Sequence, residues 1–141
     1  MNTQSQVEDL WPPDIAEQAT VTPLAILREQ AALLSKKTRN LVEGWVHTES
    51  SGSTNGESRI FHTFTLVVPT LDDYSYDLFR VSHSVMLYPV RVEFNSTFNA
   101  FASSVQHSLE NEEEFKEWLK GVFAAPHTKR ILGVLIAQAA A

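Results

Sequence analysis

The chain has 141 residues, 43% apolar and 20% charged, which suits one domain with one hydrophobic core. Its 17 acids against 11 bases leave a net charge of −6, which excludes a general nucleic-acid binder, since those present a basic face. The absence of cysteine excludes disulfides, thiolate catalysis and cysteine-ligated zinc, and no apolar run reaches the ~18 residues of a membrane span.

The start of the chain is polar and acidic, without the basic end and apolar stretch of a signal peptide. Together with the lack of cysteine, this points to the cytoplasm. Residues 1–22 read as a flexible tail in which Trp11-Pro12-Pro13 breaks any helix. The alternative is an arm that docks Val7, Leu10, Trp11 and Ile15, because an indole left in water wastes a large apolar surface. A single domain is expected over 23–141.

Thr22 can cap a helix whose first turn holds Pro23. Leu24, Leu27, Ala31, Leu34, Thr38 and Leu41 then recur at three- and four-residue steps and predict a core-facing stripe. Arg28, Lys36, Lys37 and Arg39 fall on or beside the opposite face, three of them near the helix end, where they complement its dipole. The period then changes from 3.6 to 2. Residues 42–49 and 59–68 read as a hairpin with Asn55-Gly56 in its long tip. Ile60, Phe64, Leu66 and Val68 share one face of its second strand.

After a loop at 69–75, segments 76–83 and 85–94 predict two further strands, and Pro89 places the latter at an edge or a bulge. Residues 96–109 fit either period, and a fifth strand is the preferred reading. Asn111 and Glu114 predict a capped helix that buries Phe115, Leu119, Val122 and Phe123 and ends at Pro126. Thr128 is expected to cap the last helix. The fold class that follows is α+β in two layers. An antiparallel meander of four to five strands is covered by an N-terminal helix and two C-terminal helices.

The stretch Ser82-His83-Ser84 raises a catalytic question. Neighbouring strand residues point to opposite faces, and no glycine supplies the strained turn on which a nucleophilic serine sits. The triplet is expected to form the turn between two strands, and no catalytic residue is assigned. The five histidines lack the four-residue helical spacing of a zinc site. His47 and His62 meet only if the hairpin takes one particular register. No metal and no cofactor is therefore assigned. Asp72-Asp73 reads as a polar turn, and Glu110, Glu112, Glu113 and Glu114 serve the helix dipole. Asn95-Ser96-Thr97 matches a glycosylation sequon by chance.

Two functional readings result. The first is a small non-enzymatic interaction module, accessory or inhibitor-like, that binds protein and itself. The second is a small-molecule binder or enzyme with a sheet–helix pocket lined by Arg80, His83, Tyr88 and Arg91, since arginine beside an aromatic holds carboxylates or bases. Tyr74 is a further candidate contact. The last helix carries more apolar surface than one sheet face covers. A homodimer is therefore expected, through Ile131, Val134, Leu135 and Ile136 or through the strand carrying Pro89.

Overall fold

The computed structural model describes residues 7–18, 20–52, 58–95 and 107–141. The first helix, α1 (Pro23–Lys37), starts as its sequence requires: the Thr22 hydroxyl accepts from Ala25 N–H at 3.1 Å, and Pro23 fills the first turn. It ends at Lys37, four residues earlier than the apolar spacing suggests. The Thr38 hydroxyl accepts from Val42 N–H at 3.2 Å and lies 2.8 Å from the Val42 carbonyl oxygen. Arg39 and Asn40 take left-handed φ values of 54° and 63° and reverse the chain. The face that α1 buries is Pro23, Ile26, Leu27 and Ala31.

Five strands follow in a meander, β1 (Glu43–Ser51), β2 (Arg59–Val68), β3 (Tyr74–His83), β4 (Val90–Phe94) and β5 (His107–Leu109), each antiparallel to the next. The expected α+β architecture is thus present. The strand reading of 96–109 holds for 107–109, while residues 96–106 and the Asn55-Gly56 turn lie outside the described residues. Two details differ from expectation. First, β4 begins at Val90 instead of residue 85. The N–H groups of Leu87 and Met86 both bond Ser84, and Leu87 has φ 74°, so residues 84–87 form a turn despite the alternation of Met86 and Tyr88. Second, Pro89 precedes β4, which lies inside the sheet; the edges are β1 and β5.

The helix α2 (Glu112–Ala124) opens as predicted, with Asn111 Oδ1 accepting from Glu114 N–H at 2.9 Å. Glu114 Oε1 reaches back to accept from Glu110 N–H. In α3 (Pro126–Ala139), Thr128 is no cap. The helix starts two residues earlier, at Pro126, and Thr128 is fully buried inside its first turn.

All three helices lie on one face of the sheet, in a single core with Phe64, Leu66, Phe79, Val81 and Val92. Phe79 stacks on Phe64 at 5.1 Å and meets the Trp118 edge at 5.2 Å, so aromatic packing ties α2 to the centre of the sheet. Burying each such ring stabilises the fold by roughly 1.5–3 kcal/mol before entropy is set against it. Contact is closest where α1 crosses β1. A Cβ on Gly44 would sit 2.8 Å from the Ala31 Cα, so a side chain there meets helix backbone. The β2–β3 register shifts after Phe64↔Phe79, and Leu78 is left without a partner as a β-bulge. Leu78 and Phe79, though consecutive, are both buried in the core. Asn95 braces the bulge, its side-chain amide donating to the Asp77 carbonyl at 2.7 Å and its backbone N–H to the Leu78 carbonyl.

Candidate functional site

His83 is the last residue of β3, not part of a turn, and it is 3% exposed. The turn begins one residue later, at Ser84. The reason is a partner on the next strand: His62, 1% exposed, places its Nε2 2.9 Å from His83 Nε2. His62 pairs with Val81 across β2 and β3, so His83 is its diagonal neighbour on the covered face, within reach of a long side chain.

The proton positions in this pair follow from its ends. The Ser84 carbonyl can only accept, so His83 Nδ1, 2.7 Å away, donates to it. With its proton on Nδ1, the His83 ring accepts at Nε2, and His62 donates there. His62 Nδ1 is left to accept from the Thr48 hydroxyl at 2.8 Å. The result is a directed chain from Thr48 through both rings to the Ser84 backbone. Burial, then His83, then Arg28 lower the His62 pKa from 6.5 to about 4.

A hydroxyl, an imidazole and an orienting third group are the parts of an activated nucleophile. The chemistry falls short here, because a base lowered to about 4 draws little proton from a threonine. The arrangement satisfies two buried polar rings on an otherwise apolar face. His47 pairs with Thr63 and so lies on the opposite face from His62. Among the described residues no group of three or more His, Asp or Glu is placed to hold a metal ion.

The other candidate contacts do not converge with His83. Arg80 and Arg91 do share a face, but it is the face without helices. Arg80 pairs with Glu93 at 2.6 Å and lies over the Phe61 ring at 5.5 Å, and Arg91 stands opposite Ser82. Tyr88 packs against the core from the loop before β4. Burial, then Glu112, raise its phenol pKa, and its hydroxyl is buried without a hydrogen-bond partner among the described residues. Tyr74, half exposed, starts β3, at the other end of the strand from His83, about 30 Å away at ~3.3 Å per residue. It shares a groove with Val134 and Arg130 of α3. Of the four expected interface residues, Leu135 is a core residue, Ile131 and Ile136 are half buried, and Val134 is 51% exposed.

Two surfaces escape a reading of the sequence by periodicity. One is the face without helices beside edge strand β1. There Trp45 is 53% exposed, its Nε1 donating to Glu43, and Trp45, Glu49, Thr65, Asp73 and Asp77 line a shared groove. The other is a cleft between α1 and α3. No helix among the described residues is long and apolar enough to cross a membrane. In comparisons with known proteins, no family model, no curated protein and no solved structure matches the chain.

Proposed function

We propose that this chain is a small, non-enzymatic interaction module of the cytoplasm that binds a protein partner and pairs with a second copy of itself. The observation that carries the reading is the uncovered sheet face with its long edge. Strand β1 has nine residues, is an edge of the sheet, and sets a half-exposed indole beside its outer side. Edge strands offer unpaired backbone groups to an incoming extended segment, and a tryptophan is the usual anchor at such contacts. Glu43, Glu49, Asp73 and Asp77 around Trp45 favour a segment that carries lysine or arginine. The weak His62 base leaves Thr48 unactivated, which supports the non-enzymatic reading over its alternative.

A photo-crosslinker at position 47, where the histidine side chain is 72% exposed, tests the edge. It is expected to capture a partner from the source cells, and Trp45→Ala is expected to abolish that capture. Capture that is indifferent to Trp45→Ala refutes the site. Self-association is read by light scattering on a sizing column. Val134→Glu is expected to yield a folded monomer from a dimer, whereas Leu135→Glu unfolds the domain. A monomeric wild type at tens of micromolar refutes the dimer.

A further inference from the structure

The cleft between α1 and α3 has a volume of about 180 Å³. Its floor is the sheet core, Phe64, Leu66 and Leu78, and its walls are Leu33 and Leu34 from α1 and Leu132 from α3. A dry apolar cavity of about 150 Å³ holds one benzene ring, so the space here suits a single ring with a substituent. Three polar side chains, Gln30, Lys37 and Thr128, break the apolar lining, and the last two set the class of ligand. Thr128 lines the cleft, is 0% exposed, and its Oγ1 has no hydrogen-bond partner among the described residues. Buried hydroxyls are nearly always satisfied, so this one can bond a polar atom of a ligand. Lys37, the last residue of α1, supplies a cation on the exposed side.

We propose that this cleft binds a small aromatic carboxylic acid with a polar ring substituent, the ring between the leucine walls, the substituent bonded to Thr128 Oγ1 and the carboxylate facing Lys37. The proposal is independent of the protein-binding edge. It concerns the opposite face of the sheet and different residues. It also moves the sheet–helix pocket away from Arg80, His83, Tyr88 and Arg91. The class of ligand follows from the order of groups, with a deep neutral hydroxyl, an apolar middle and a cation outside.

The test uses 4-hydroxyphenylacetate, phenylacetate and 4-methylphenol as probes, followed through the methyl NMR signals of Leu33, Leu34 and Leu132. The first is expected to bind saturably, and each of the others, lacking one polar group, to bind about three- to tenfold more weakly. Thr128→Val is expected to equalise the two acids, and Lys37→Met to equalise 4-hydroxyphenylacetate with 4-methylphenol. Leu132→Trp fills the space and is expected to abolish binding. If that variant fails to fold, Leu33→Trp, built from a side chain already 40% exposed, fills it from the other wall. Absence of any saturable shift at about 10 mM, beyond the range of even a weak specific site, overturns the proposal. So does binding that survives both tryptophan variants, or a 4-methylphenol affinity equal to that of the acid. Removal of residues 1–16 that shifts the cleft methyls without any probe would assign the space to the chain's own Trp11, and would likewise overturn it.

Discussion

Acidification is expected to weaken this fold through one residue. His62 is held neutral between β1, β3 and α1, where Thr48 and His83 bond its ring and Arg28 is the nearby cation. In the unfolded chain it titrates near 6.5, whereas in the folded chain it titrates at about 4. Between those values the unfolded state binds the proton and the folded state does not. Stability therefore rises with pH across the window, is fully present above about 6.5, and is lost as pH falls toward 4. A separation of about 2.5 units at ~1.4 kcal/mol each makes the full loss about 3.5 kcal/mol, of which about 3 kcal/mol has gone by pH 4, a large share of a typical domain's stability. The assay is urea unfolding at pH 7, 6, 5 and 4 of the wild type and of His62→Gln, which keeps a donor and an acceptor but no titrating group. The carboxylates titrate in both proteins and cancel. The two stability curves are expected to converge or cross by about 3 kcal/mol on acidification, and parallel curves would refute the assignment of a strongly depressed His62.

Three further outcomes are expected. Gly44→Ala drives a methyl into the α1 backbone at Ala31 and is expected to cost about 1–3 kcal/mol in thermal unfolding, while Gly52→Ala, which meets nothing, costs far less. His83→Asn leaves the His62 Nε2–H without its acceptor in a buried site and is expected to cost about 1–3 kcal/mol by urea unfolding, whereas a residue in a solvent-exposed turn would be replaced at no cost. Removal of residues 1–13 is expected to leave the melting temperature nearly unchanged, because Val7, Leu10 and Trp11 are 71–89% exposed; a fall of more than a few degrees would mean that Trp11 is docked.

The elements were legible wherever local chemistry decides them. The caps at Thr22 and Asn111, the break at Pro126 and the alternation of Phe64, Leu66 and Val68 each act within a few residues, and each is where the sequence placed it. What failed depends on partners distant in the chain. Met86 and Tyr88 continue the alternation of Val90 and Val92, yet local bonds to Ser84 turn the chain before β4 begins. His83 reads as part of a turn, but a second polar ring 21 residues away satisfies it in the core. That pairing needs the register of β2 on β3, which composition does not disclose. Arg80 and Arg91 share one face, but His83 lies on the other, since residues 80 and 83 differ in parity.

The bulge at Leu78 has a consequence for how this chain tolerates changes of length. It acts as a phase shifter between the two halves of β3. Tyr76 before it and Phe79, Val81 and His83 after it all turn toward the helices, although an uninterrupted strand would set even and odd positions on opposite sides. Deleting Leu78 would therefore leave an unbroken ladder, with Thr65↔Asp77 and Phe64↔Phe79 consecutive, and Tyr76, Phe79, Val81 and His83 would keep their face by simple alternation at the loss of one core side chain. Insertions and deletions elsewhere in a meander are absorbed at the tips of its hairpins, but here the middle of a strand has room to lose one residue while both ends keep their faces.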